Sequence, residues 1–166
     1  MEKTSNSFNP EILSIILKSS DNQQFNIDVK SAKRSGYISD LMGKHKGENE
    51  FIIPEVEAKI LTKIIEYLIH YKEKEPKKIK RPLKDSKIEK ILDKWDYNYI
   101  TSFALADCVD LLNAATFMEI ESLLRLMCAR IASIMMELPI EQVRQIFGIE
   151  TDMSEEEKER FRKYVI

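Results

Sequence analysis

Few residues in this sequence have the type and spacing needed for covalent chemistry. The 2 histidines are His45 and His70. Metal centres and nucleophilic sites need imidazole, thiolate or carboxylate groups gathered on one face or a few residues apart. His45 stands in a polar stretch. His70 closes an apolar helical pattern with no Cys or His at ligand spacing, so a structural role is expected for it. The 2 cysteines, Cys108 and Cys128, fall inside apolar helical patterns and read as buried free thiols of a reducing compartment. G-x-S-x-G, the P-loop and G-x-G-x-x-G are absent, and the 4 glycines leave little material for a phosphate-cradling loop. The acidic run Glu155–Glu157 is accounted for by helix capping, since Ser154 and Glu157 have capping-box spacing. No catalytic residue, cofactor or metal is therefore expected.

Charge excludes further classes. With 26 Lys and Arg against 28 Asp and Glu, the net charge of -2 gives no overall field toward nucleic acid or membrane. Met1–Pro10 is polar and no apolar run follows it, so no secretory signal is read, and no run is long enough to span a bilayer. A cytoplasmic and nuclear location is the expectation. The one local concentration of charge is residues 72–94, with Lys72, Lys74, Lys77, Lys78, Lys80, Arg81, Lys84, Lys87, Lys90 and Lys94. Carboxylates alternate with them, and no aromatic residue for base stacking precedes Trp95. The segment reads as a solvated, mobile insertion with a short helix near Ile88–Leu92, and nucleic-acid binding is the less favoured alternative.

The elements that must position any functional surface follow from periodicity. Residues 1–11 are polar and expected to be loose. Ile15–Leu17 and the alternating Phe25, Ile27 and Val29 flank the turn-forming "SSDNQ", which predicts a β-hairpin. A short helical stretch broken near Gly36 follows, and Phe51–Ile53 forms a third strand ended by Pro54. Val56, Ile60, Ile64, Leu68 and Tyr71 recur at helical spacing, with Leu61, Ile65 and Ile69 widening the stripe, so this helix should be central. After Trp95 the chain turns helical. Leu105, Cys108, Val109, Leu112 and Ala115 line one face of the next helix, and "IESLLRLMCARIASIMM" is apolar almost all round. Pro139 opens a further helix and Gly148 is placed to cap its end. The fold class is α+β: short strands mixed with helices, then a run of helices. The boundaries read as 12–125 for the α+β domain and 126–166 for the helical extension. Periodicity leaves open whether the late apolar helices bury one another or present a partner groove. Their methionines would suit a surface that repacks around varied partners.

Six stretches, "ILKSSDNQQFNIDV", "AKRSGYISDLM", "IPEVEAKILTKIIEYLIHYK", "WDYNYI", "LLNAATFMEIESLL" and "RQIFGIETDMSEEEKERFRK", occur in an order that resembles one family. This is the Skp adaptors, the small S-phase-kinase-associated subunits of SCF ubiquitin ligases. The resemblance runs from about Ile15 to Lys163. It implies a BTB/POZ domain followed by C-terminal helices, and a non-catalytic bridge between a cullin N-terminal domain and F-box proteins. In the family the corner between two helices carries an Asn-Tyr pair that contacts the cullin. Thr116 and Phe117 hold the matching positions here, and Glu119 replaces the family's Asp. The F-box side is implied at Leu124, Met127, Ile131 and Ile134, and at Val143, Ile146, Phe147 and Ile149. An empty apolar groove implies a sticky or homodimeric free protein. Within the same fold, an F-box partner in a kinetochore or trafficking complex, without a cullin, is the alternative.

Overall fold

Ser19, Asp21 and Asn22 reverse the chain between two alternating strands. The computed structural model describes residues 13–83, 85–150 and 153–164. Strand β1 (Ser14–Lys18) pairs antiparallel with β2 (Gln24–Asp28), Ile15 opposite Ile27 and Leu17 opposite Phe25. The Ser19 hydroxyl donates to Asp21 at 2.6 Å, and Asn22 takes φ 65°, a left-handed conformation that Asn tolerates. Strand β3 (Glu50–Ile52) joins the other edge of β1 in parallel, giving the order β2-β1-β3. The period of two sends Ile15, Leu17, Ile27 and Phe51 to a buried face and leaves Ile52 exposed.

Helices α1 (Val29–Ala32) and α2 (Gly36–Lys44) follow the hairpin, capped by the side chains of Asp28 and Ser35. Central helix α3 (Ala58–His70) has no capping side chain of its own at Glu57. Asp21, from the hairpin turn, accepts the Ala58 N–H at 2.9 Å instead. Ile60, Leu61, Ile64, Ile65, Tyr67 and Leu68 of α3 are buried, as the stripe predicts, while Ile69 points out at 50% exposure. Helices α4 (Lys94–Thr101) and α5 (Leu105–Phe117) complete this layer, and α6 (Glu121–Glu137) runs on from it. On α5 the buried face is Cys108, Leu111, Ala114 and Ala115, rotated from the expected one, with Val109 42% exposed. Of the two thiols, Cys108 is buried as expected and Cys128 is exposed.

The lysine-rich segment departs from the expected solvated insertion. Its 3-10 turn Ile88–Lys90 matches the short helix read there, but Ile88 is 2% exposed and Leu92 8%. Ile79 and Leu83 also pack against the core. Lys72 pairs with Asp28 at 3.0 Å and Arg34 with Glu75 at 2.6 Å, which orients residues 72–75 along the edge of the domain. Such partly exposed pairs add little energy, so the buried aliphatic residues hold the segment.

Asp96 is a buried carboxylate, at 2% exposure. It accepts the Tyr71 hydroxyl at 2.6 Å. Burial raises its pKa above the ordinary 3.8, with the Tyr71 hydrogen bond opposing. The folded state therefore holds this proton more tightly than the unfolded one. The Asp96 contribution to stability is full below the ordinary carboxylate pKa and is lost as pH rises through the raised one. Asp96→Asn, which keeps an acceptor for Tyr71 without a charge, should remove this falling slope and stabilise the protein at neutral pH. Urea midpoints at a series of pH values would check it. His70 stacks on Trp95 with ring centroids 3.5 Å apart, and burial lowers its pKa, in keeping with the structural role expected of it.

The chain divides into two compact units, up to Ser133 and from Ile134. The division falls inside α6 rather than at 125/126, because Leu126, Met127, Ala129 and Ser133 are buried in the first unit. In the second, α7 (Ile140–Ile146) follows Pro139, which occupies the N-cap just outside the helix rather than the first turn. It ends in a Schellman motif at Gly148, φ 62°, with Ile149 N–H donating to Arg144 O at 2.9 Å. Helix α8 (Glu155–Tyr164) opens with the expected capping box, in which Ser154 N–H donates to Glu157 at 2.9 Å. The expectations for residues 1–11 lie outside the described residues.

Candidate functional site

The corner between α5 and α6 begins as a helix end. Glu119 N–H donates to Thr116 O at 3.2 Å and Ile120 N–H to Ala115 O at 2.8 Å, the two bonds of a Schellman motif. Its left-handed position, usually Gly, is occupied by Glu119 at φ 54°. An L-residue there costs roughly 1 kcal/mol over Gly. Glu119→Gly should raise the melting temperature by about 2–4 °C, readable by circular dichroism.

A distant part of the chain fixes this corner. The Ser35 hydroxyl caps α2 by accepting the Ile38 N–H at 3.2 Å and donates to Met118 O at 2.6 Å. Gly36 N–H and Tyr37 N–H reach the carbonyls of Glu119 and Met118, each at 3.4 Å. A Cβ on Gly36 would stand 2.9 Å from the Glu119 Cβ, so the approach of the two backbones depends on this glycine. Tyr37 then lays its ring 4.7 Å from that of Phe117 at an interplanar angle of 45°. Phe117 is half-buried, with one side on the core; Thr116 and Glu119 are exposed. The Thr116 hydroxyl donates back to Leu112 O at 2.9 Å. Beside Phe117 lies an open cavity of about 310 Å³ edged by Glu55, Glu57 and Asp110. The three residues expected here are thus brought together. The reading of the sequence missed Ser35, Gly36 and Tyr37, although a Ser before a helix start is a capping signal.

The second set of expected residues is divided by burial. Leu124 and Ile131 of α6 are partly buried at the surface of the first unit. Met127 is 0% exposed and belongs to the core, so it is withdrawn from the candidate surface. In the second unit Ile134 and Val143 are half-buried, while Ile146, Phe147 and Ile149 are 46%, 60% and 49% exposed. Met136, part of the apolar run of α6, is exposed as well, as are Ile140 and Met153, which were not singled out. None of the side chains described after Ser133 is buried. Among the described residues no cluster of His, Cys, Asp and Glu could hold a metal, and no single helix is long and apolar enough to cross a membrane.

Comparison with known proteins finds two family matches. Residues 13–73 match the Skp1 family, tetramerisation domain, and residues 121–164 the Skp1 family, dimerisation domain. The chain is 31% identical over 147 residues to the S-phase kinase-associated protein 1 homolog of Tetrahymena thermophila, covering 89% of each chain. It is 32% identical over 149 residues to SKP1-like protein 10 of Arabidopsis thaliana, covering 90% of this chain and 92% of the relative.

Proposed function

The chain belongs to the Skp1 family, and we propose that it acts as a non-catalytic adaptor of an SCF-type ubiquitin ligase, joining a cullin to F-box proteins for ubiquitin-dependent degradation. The observation that carries this reading is the apolar exposure of the second unit, counted over its described side chains. Six large apolar side chains from Met136 to Met153 are at least 44% exposed, an arrangement that supports a covering partner. F-box proteins are held through Leu124 and Ile131 on the first unit and through Ile134, Val143, Ile146, Phe147 and Ile149 on the second. Association would replace water on these side chains with protein contacts, the main favourable term in such interfaces.

The cullin N-terminal domain docks at Thr116, Phe117 and Glu119. Phe117 is already held by Tyr37 and the core, so little side-chain entropy remains to be lost on binding. The Cys108 and Cys128 thiols are free, which suits the reducing cytoplasm and nucleus where we place this work.

A two-bait assay tests the reading. The purified chain is presented with an isolated F-box segment and with a cullin N-terminal domain, alone and together. Formation of a ternary complex is expected. Capture of the F-box without the cullin would remove the ligase role and leave an F-box partner of another complex. Capture of neither would sink the adaptor reading.

A further inference from the structure

The adaptor reading leaves the basic strip Lys77, Lys78, Lys80 and Arg81 without a role. It lies in "PKKIKRP", residues 76–82, which contains no carboxylate and has a proline at each end. Proline at these positions disfavours helix. The chain from Glu75 to Lys80 has neither helix nor turn, and all four basic side chains are exposed. Among the described residues, no backbone N–H of residues 77–81 donates to another backbone group.

The contacts of the strip alternate. Lys77 donates to Ile91 O at 2.5 Å, and Ile79 packs against the core. Arg81 stands near Glu121, whose pKa is lowered first by the hydrogen bond from Arg125 and further by the Arg81 charge. Between these three, Lys78 and Lys80 have no hydrogen bond or ion pair among the described residues. An extended chain sends alternate side chains to one side, roughly 7 Å apart. The odd-numbered residues therefore hold the strip to the domain, and the two even-numbered lysines are presented to solvent.

Short runs rich in Lys and Arg serve as nuclear-import signals or as nucleic-acid patches. We propose that this strip is a nuclear-import signal, read as an extended peptide by an acidic groove on a transport receptor, with Lys78 and Lys80 entering first and Lys77 and Arg81 exchanging their contacts for receptor carboxylates. The inference does not rest on the adaptor reading. A net charge of -2 gives the chain no overall attraction for a polyanion, whereas a groove that takes lysines one at a time needs only the strip. The unused backbone N–H groups are what an extended peptide offers to such a groove. Nucleic acid would find no aromatic ring in the strip for base stacking.

The full chain is titrated by calorimetry with the purified import-receptor subunit that binds lysine-rich peptides. A complex is expected, and a synthetic peptide of residues 76–83 should compete for it. K78Q/K80Q breaks no hydrogen bond or ion pair of the fold and should weaken binding by at least about tenfold. K87Q/K94Q removes the same charge from the same segment outside the strip and should stay within about twofold of the wild type. In cells, the full chain fused to a fluorescent carrier too large to diffuse through the nuclear pore should accumulate in the nucleus. The K78Q/K80Q fusion should fall to the ratio of the carrier alone. Failure to form the receptor complex, equal weakening by the two double variants, or nuclear accumulation unchanged in K78Q/K80Q would overturn the proposal. So would a single-stranded oligonucleotide that binds the chain as tightly as the receptor does at the same salt, since it would assign the strip to nucleic acid. A receptor that binds the peptide but not the folded chain would overturn it as well.

Discussion

Phe117→Ala should lower affinity for a cullin N-terminal domain by about 30-fold or more while leaving F-box binding unchanged. Loss of a central aromatic anchor typically costs about 2 kcal/mol or more, which is roughly that factor in Kd. The ring is suited to the task because it is half-buried and braced by Tyr37 at 4.7 Å, so its outer face is presented in one orientation. Removing it also takes a contact from the core, and a modest fall in melting temperature is expected alongside. Two controls separate the effects. Phe117→Tyr keeps the ring and its packing and should retain cullin affinity. F-box binding measured on the same Ala preparation reports whether the fold is intact. Equal cullin affinity for the wild type and Phe117→Ala, by calorimetry, would remove this corner from the interface.

Ile88→Ala should cost about 3 kcal/mol of folding stability, within the range of 2–5 kcal/mol for emptying a buried Ile site. For a chain of this size that is a fall of roughly 6–12 °C in melting temperature. A solvated loop would tolerate the same change within about 0.5 kcal/mol, so the two descriptions of residues 72–94 differ by several-fold in outcome. At 2% exposure, Ile88 fills core volume beside the 3-10 turn and cannot be trimmed without leaving a cavity. Denaturant titration is the direct measurement. Amide exchange at Ile91 and Leu92, whose N–H groups both donate to Ile88 O, should accelerate in the same variant.

How far the sequence carried varies by element. The hairpin and α3 were legible because their apolar residues follow a single period, two for Ile15, Leu17 and Ile27 and 3.6 for Ile60, Ile64 and Leu68. Helix α5 was harder. Leu105, Cys108, Val109, Leu111 and Leu112 cover more than one face, so several buried stripes satisfy the pattern, and packing selects the one through Leu111. Helix α6 is apolar nearly all round, which is why Met127 was read as surface and Cys128 as interior when the reverse holds. The lysine segment misled for the opposite reason. Its charge density hides Ile79, Leu83, Ile88 and Leu92, too sparse to form a periodic stripe but enough to anchor the segment.

The candidate corner shows the same division. Thr116, Phe117 and Glu119 were identified through a family resemblance carried by the order of several motifs. Their support comes from Ser35, Gly36 and Tyr37, with Ser35 and Met118 separated by 83 positions along the chain. By itself the sequence determined the local elements, their turns, the capping box of α8 and the family, because side-chain periodicity and turn chemistry act within a few residues. Tertiary structure alone decided which face of α5 and α6 is core, that the lysine-rich segment is anchored through Ile88 and Leu92, and that the corner is clamped to the start of α2. Burial and long-range hydrogen bonds depend on what stands opposite a side chain in space, and no local pattern encodes that.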